Sequence, residues 1–446
     1  MDEAAMPPSA VPTDDQQQLA AQVLEQDAHF VKALTDTANK REIIACEDIY
    51  SSSGMKLVSS GTRLTGNFYD RLIEHKLLKP IEQSLSVENS VDAARLLALI
   101  HAQGDSIAAL APLFRQPESI RNLERTFGNL PIPAPLALKL TVAQEQRPLL
   151  FQHLLNTAML AYIVALQDKL ATDDAKALVL AAVFHDLGEL SIDPAILAPE
   201  HRMTPDERRH IYVHPLTGFL MLRNFPVIPK AAAQAVLQHH ERMDASGYPH
   251  RLPGEKMGFI SRYLAVIEVA ASLLVRFGAD KRINMLLRLN RKKYDEQAVL
   301  SIGRVFRAVE TLAASAPDEA FAMTRLIQTG QIFQDWDLLR KTLASLSTNE
   351  SAALGFIVKR MDSLRLTVAQ VGFDASRFED MLSLACGDDA EVRMELTLLL
   401  DELDWQFRAL SREIERTLFG QKLLLPAAAK EIFDTWLAQV RQLVGE

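Results

Sequence analysis

The sequence predicts a mainly α protein: an all-helical bundle in the middle, a small α+β module before it and a helical region after it. Three observations carry that prediction. From about residue 141 onward apolar positions recur at helical spacing almost without interruption. Strand-like text is confined to about 42–80, where EIIACEDIYSSSGMKLVSSGTRLT alternates and turns on Ser-Gly pairs. Between the two, the prolines of 129-NLPIPAPLAL-138 break any helix and mark a boundary.

Taken in order, residues 1–18 are polar and rich in Pro, Ala and Gln, which reads as a disordered leader. Residues 19–85 form the small module: a helix, two or three short strands, then a helix over 66-GNFYDRLIEHKLL-78. Residues 86–140 are a helical connector that ends in the prolines. The bundle occupies 141–310. Within it, 172-TDDAKALVLAAVFHDLG-188 has Thr172 as N-cap, acids in the first turn and Gly188 as a stop. Residues 311–446 continue as amphipathic helices broken near Pro317, Gly372, Gly387 and Pro426.

The bulk numbers narrow the function classes. With 446 residues, 48% apolar and 24% charged, the chain has material for two or three cored domains. The N-terminus lacks the order of a signal peptide and no uncharged apolar run is expected to reach membrane-spanning length, so the expected compartment is the cytoplasm. Cys46 and Cys386 have no metal-type spacing and read as buried, inert thiols. A net charge of -9 disfavours long nucleic acids, although a metal site can still recruit a small phosphorylated ligand.

The chain has 11 histidines, and most lie between His185 and His250. They fall in groups: His185-Asp186, then 214-HP-215, then 239-HHERMDASGYP-249, with His153 one helix upstream. Mixed imidazole and carboxylate ligands suit manganese, iron and zinc, and a helical site must collect them from several turns. Adjacent helical residues project about 100° apart, so His239 and His240 are expected to address two neighbouring positions. Asp186 can bridge two metals with its two oxygens. Two ions ~3.5–4 Å apart can activate a bridging water and neutralise a phosphodiester. His153 taken alone reads equally well as a hydrogen-bonded core residue, and His201, His210 and His250 read as surface residues.

The order HD-x-G, HP, HHER-x-D-x-SGYP resembles the HD-GYP family, a branch of the HD-domain metal phosphohydrolases that hydrolyses the bacterial messenger cyclic di-GMP. The resemblance spans about 141–300 and includes 193-DPAIL-197, 203-MTPDER-208, 214-HPLTGFLML-222 and 251-RLPGEKM-257. It implies an HD-type bundle with His153, His185, Asp186, His214, His239 and His240 as metal ligands, and two divalent transition-metal ions, iron or manganese first. Gly247, Tyr248 and Pro249 match the loop that borders the family's substrate pocket. The 42–80 module resembles small domains often attached to such hydrolases.

Three positions depart from the family pattern. The lysine of HD-x-G-K is Glu189 here. In 267-IEVAASLL-274, Glu268 stands for an Asp ligand and Ala271 for a second Asp. Leu149 stands where some members carry an acid for a third metal. Asp186 and Glu189 are thus the expected catalytic positions. Arg242, beside the GYP loop, is an expected substrate contact, and Arg242, Arg251 or Lys256 is a replacement cation. The leading reading is a phosphodiesterase of a cyclic dinucleotide. The alternatives are a catalytically impaired signalling module and a hydrolase of another nucleotide. Protein partners through the N- and C-terminal regions and a homodimer complete the expectations.

Overall fold

A computed structural model describes residue 20, residues 27–198, most of 201–306 and, further on, chiefly 319–343, 390–420 and 427–445. The leader 1–18, Cys386 and the breaks expected at Pro317, Gly372, Gly387 and Pro426 lie outside the described residues. The chain divides into two compact units, Met1–Leu287 with Arg291–Glu310, and Arg288–Asn290 with Thr311–Glu446.

The first unit opens with α1 (Ala28–Ala38), whose N-cap Asp27 accepts from Phe30 N at 3.0 Å. Four short strands follow: β1 (Ile43–Ala45), β2 (Ile49–Tyr50), β3 (Lys56–Val58) and, past a helical turn α2 (Tyr69–Ile73), β4 (Leu85–Val87). β1 pairs antiparallel with β4, Ile44 opposite Ser86, and β2 with β3, Ile49 opposite Val58. The helix expected over 66–78 is shorter, because residues 76–78 are drawn into extended pairing: Ser52 N donates to Lys76 O and Leu78 N to Tyr50 O. Cys46 is exposed, not buried: burial alternates along β1, Ile43 and Ala45 facing in, and the next residue turns outward.

Then come α3 (Ala93–Ser106), α4 (Ala111–Arg115), α5 (Pro117–Phe127) and α6 (Ala134–Gln146). The prolines do break the chain, at Pro133, and Pro135 sits in the first turn of α6, where a missing N–H costs nothing. The bundle continues through α7 (Pro148–Gln167), α8 (Thr172–Phe184), α9 (Pro205–Leu222), α10 (Lys230–Gln238), α11 (Phe259–Phe277) and α12 (Glu296–Val305). One apolar core runs from Phe30 to Phe306, so module, connector and bundle share it.

α7 corrects an expectation. Its 20 residues contain no Asp, Glu, Lys or Arg, an 18-residue stretch of them has a mean hydropathy of 1.6, and by length and composition the helix is apolar enough to cross a membrane. Here 72% of that stretch is buried inside the unit, where the helix packs on α8 and α11. α8 differs too: Ala171 rather than Thr172 is the N-cap, and the helix stops at Phe184.

The second unit contains α13 (Glu319–Leu343), α14 (Ala390–Gly420) and α15 (Ala427–Val444). Trp336 and Trp436 pack with ring centroids 5.2 Å apart, and Arg325 bridges Asp401 and Asp404 at 2.8 and 2.5 Å.

Gly188 does not cap α8. It lies in a 3-10 turn, Leu187–Ser191, where a Cβ would stand 2.3 Å from His214 O and 3.1 Å from Gly218 N. Only glycine lets this turn touch the backbone of α9. Gly188→Ala should therefore cost about 1–3 kcal/mol of stability through forced separation of the two elements; chemical unfolding checks this, and an unchanged midpoint would contradict it.

Candidate metal centre

Four helices deliver the imidazoles, and the way three of them end or break orients the rings. α8 and α10 terminate just before His185 and His239, leaving the carbonyls of Ala182 and Val236 without helical N–H partners. His185 Nδ1 takes the first at 2.9 Å and His239 Nδ1 the second at 2.7 Å. In α9 the same vacancy arises mid-helix: Pro215 has no N–H to give Ile211 O, and His214 Nδ1 lies 2.7 Å from that oxygen instead. A ring whose Nδ1–H is committed to a carbonyl keeps Nε2 as its ligand atom.

All three Nε2 atoms point at Asp186. Its Oδ2 lies 3.1 Å from His185 Nε2 and 3.5 Å from His153 Nε2, while Oδ1 lies 3.2 Å from both His214 and His239 Nε2. Yet Oδ1 is buried without a hydrogen-bond partner, because these approaches lack hydrogen-bond angles. The Nε2 atoms also crowd one another, 3.1 Å apart between His153 and His185 and 3.2 Å apart between His214 and His239, around the carboxylate they share. Two sets result, each with ligand atoms within 4.8 Å: His153, His185 and Asp186, and Asp186, His214, His239 and His240. These buried imidazole and carboxylate donors fit divalent metal on both sides of Asp186. Burial, then the neighbouring His185, pushes His153 down to about 4, and burial pushes His239 down to about 4, so both are neutral at pH 7.

His239 and His240 share one set, contrary to the expectation that they address different positions. α10 has already ended at Gln238, so the 100° step of a continuing helix does not apply. The His240 ring stacks on Tyr248, centroids 4.6 Å apart. Tyr248 reaches it because the chain folds back at Gly247, where a Cβ would lie 2.4 Å from His240 O; Tyr248 N donates to that same oxygen at 3.1 Å. Pro249 follows through a cis peptide. Glu241, which sequence reasoning passed over, pins the far side of the loop by accepting from His250 N at 2.6 Å and Leu252 N at 2.9 Å. The His250 ring is buried beside Glu241 rather than on the surface, whereas His201 and His210 are exposed.

Glu268 on α11 is buried near the centre but belongs to neither set, and its Oε2 lacks a hydrogen-bond partner. Burial raises its carboxyl to about 7 against the pull of Arg242. Ala271, one turn on, is core. Arg242 is committed to the backbone: Nη1 donates to His239 O at 3.0 Å and Glu241 O at 2.9 Å, and the guanidinium lies over the Tyr294 ring. Arg251 and Lys256 are exposed, and Leu149 is an exposed apolar side chain.

Glu189 is half-buried on the 3-10 turn, its N–H donating to Asp186 O at 2.9 Å. Burial, then the Asp186 charge, raises its carboxyl to about 7. Among the cations acting against that rise is Arg147, at the start of α7, whose Nη2 donates to Ile192 O at 2.8 Å. Arg147 was missed because it precedes His153 in sequence and belongs to no quoted motif.

Residues 137–297 match the family of HD domains. The chain is similar to the cyclic di-GMP phosphodiesterase response regulator RpfG of Xanthomonas campestris pv. campestris, 34% identical over 115 residues, which are 26% of this chain and 30% of that protein. A probable cyclic di-GMP phosphodiesterase of Vibrio cholerae is 31% identical over 153 residues, 30% of this chain and 34% of that one. The 3'3'-cGAMP-specific phosphodiesterase 1 of Vibrio cholerae is 28% identical over 155 residues, 34% and 35% of the two chains. The chain thus spans about a third of the length of these curated relatives. The solved HDG"Y"P protein from Bdellovibrio bacteriovorus overlaps 60% of this chain and 95% of its own at 14% identity, with a TM-score of 0.33. Residues 137–297 are thus an HD domain, and the cyclic di-GMP phosphodiesterase relatives, with the intact Gly247-Tyr248-Pro249 loop, support an HD-GYP domain there.

Proposed function

We propose that this domain hydrolyses a phosphodiester bond of a cyclic dinucleotide, cyclic di-GMP first, with two divalent transition-metal ions, iron or manganese, seated on the two sides of Asp186. The observation that carries the reading is Asp186 itself: a buried carboxylate that turns one oxygen to His153 and His185 and the other to His214 and His239. When bound, such a pair of ions activates water and neutralises charge on the phosphate. The chain's own residues orient and enclose. The carbonyls of Ala182, Ile211 and Val236 hold the imidazoles in the ligating tautomer, and the Gly247–Pro249 loop sets Tyr248 beside His240, where a substrate base could stack. Glu268 supplies a further buried carboxylate at the centre.

Glu189 favours a second reading, an impaired or retuned site, because it puts an acid where the family pattern has a phosphate-binding lysine. Relatives named for 3'3'-cGAMP as well as for cyclic di-GMP support the cyclic dinucleotide class more firmly than one member of it. The flanking regions, 19–85, 86–140 and 311–446, are assigned regulatory or protein-contact roles, including dimerisation, in a cytoplasmic protein.

Full-length protein loaded with manganese or ferrous iron and offered cyclic di-GMP, 3'3'-cGAMP and an unrelated nucleotide should release linear product from a cyclic dinucleotide. His185→Ala and Asp186→Ala should abolish turnover; metal-loaded protein inert towards all three would sink the reading. A hydrogen bond to a charged group is worth about 1.5–3 kcal/mol, so Glu189→Lys should raise kcat/KM roughly ten- to hundredfold. Unchanged or lower turnover would place Glu189 in a useful role.

Cation affinity should rise with pH. Glu189 and Glu268, at about 7, and His185 and His214, whose carboxylate neighbours outweigh burial and raise them, all shed protons as pH climbs, adding negative charge or freeing ligands. His153 and His239 are neutral throughout and add no dependence. Manganese titration should show at least about a tenfold gain from about pH 6 to about pH 8; a flat or falling profile would contradict the assignment.

A further inference from the structure

The 3-10 turn that follows Asp186 and carries Glu189 is held from outside the helices that supply the imidazoles. Its last residue, Ser191, is buried, and Ser191 Oγ donates to Asp27 Oδ2 at 2.6 Å across 164 positions of sequence. That length is typical of a hydroxyl donating to a charged carboxylate, one of the stronger hydrogen bonds. The other oxygen of Asp27 caps α1, which packs against the same turn. One carboxylate therefore starts a helix of the small module and fixes the end of a turn of the metal centre. The far end of α1 reaches the turn by a second route. Gln146 Nε2 donates to Thr37 Oγ1 at 3.1 Å and Arg41 Nε to Glu145 Oε1 at 2.7 Å, which ties the module to the end of α6. The next residue, Arg147, donates to Ile192 O, just past Ser191.

The polar network also extends inward from Asp27. Lys139, on α6 and 1% exposed, pairs with Glu82 at 3.1 Å, and its charge acts on Asp27 as well. Glu82 lies in the turn Ile81–Ser84 that leads into β4. Glu82, Lys139, Asp27 and Ser191 thus connect the strands of the module to the turn beside Asp186. A buried polar network whose members satisfy one another rigidifies what it joins. We propose that Asp27 and Ser191 are positioning residues of the metal centre: their hydrogen bond sets the 187–191 turn, and with it the placement of Asp186 and Glu189. The small module then holds the site in shape, although neither candidate ligand set includes any of its described residues. The inference rests on the two-cation reading of Asp186.

The test is manganese titration of the full-length chain, followed by electron paramagnetic resonance, with amide hydrogen exchange of the metal-free protein beside it. Ser191→Ala removes the donor and leaves the α1 cap intact. Asp27→Ser keeps a capping oxygen but has only one, which cannot serve both Phe30 N and Ser191. Asp27→Asn keeps both contacts, because its amide can donate to a hydroxyl that also accepts. Ser191→Ala and Asp27→Ser should each weaken manganese binding roughly tenfold. The double variant should lose no more than either single one, since both remove the same bond, and Asp27→Asn should retain wild-type affinity. Exchange across 187–191 should quicken in Ser191→Ala and Asp27→Ser. A purely structural bond would lower the unfolding midpoint and leave the affinity of the folded protein as it is. Wild-type affinity in both single variants, additive losses in the double, or equal losses in Asp27→Ser and Asp27→Asn would overturn the positioning role. Unchanged exchange in Ser191→Ala would do so without any metal being present. A wild type that binds no manganese would overturn the reading of the centre, and this role with it.

Discussion

The centre depends on three backbone carbonyls that helical geometry leaves without amide partners. Ala182 and Val236 lose theirs because α8 and α10 stop, and Ile211 loses its own because Pro215 has no N–H. Each would be a buried orphan unless a side chain took it, and in each case the histidine three residues later does so. The same bond that satisfies the carbonyl fixes the ring, so fold stability and ligand orientation are one interaction counted twice. The price of misplacing any of these helix ends is therefore paid in the site as well as in the core.

Asp186 is the point on which those rings converge. Burial alone would favour its neutral form, but the His185 charge and the surrounding imidazoles hold it well below the usual carboxylate range. A charged carboxylate with an oxygen lacking hydrogen bonds is costly in a dry interior unless something cationic shares the space. The close backbone approaches at Gly188 and Gly247 serve this arrangement: the first lets the Asp186 turn lie on α9, the second lets Tyr248 cover His240.

Much of this was legible in the sequence. The helical period of 141–310, the proline break and the His-Asp, His-Pro and His-His pairs are local patterns, and local patterns survive folding. What sequence could not supply was tertiary. Residues 76–78 abandon helix to pair with 50–52, β4 lies beyond the strand-like text, and α7 carries a membrane-like composition because most of it is buried in a packed bundle. Glu268 lay in a recognisable position yet stands outside both ligand sets. Arg147 and Glu241, in contrast, act through backbone oxygens and amides whose positions no side-chain motif records. The expectation that His239 and His240 address two separate positions assumed a helix two residues longer than the one that ends at Gln238, and both fall in one candidate ligand set.

Asp186 is proposed to join two cation positions. Electron paramagnetic resonance of the full-length chain titrated with manganese tests it most directly. An exchange-coupled pair is expected at two ions per chain, with Asp186→Asn reducing it to isolated manganese signals. Uncoupled manganese in the wild type, or coupling that survives Asp186→Asn, would contradict it.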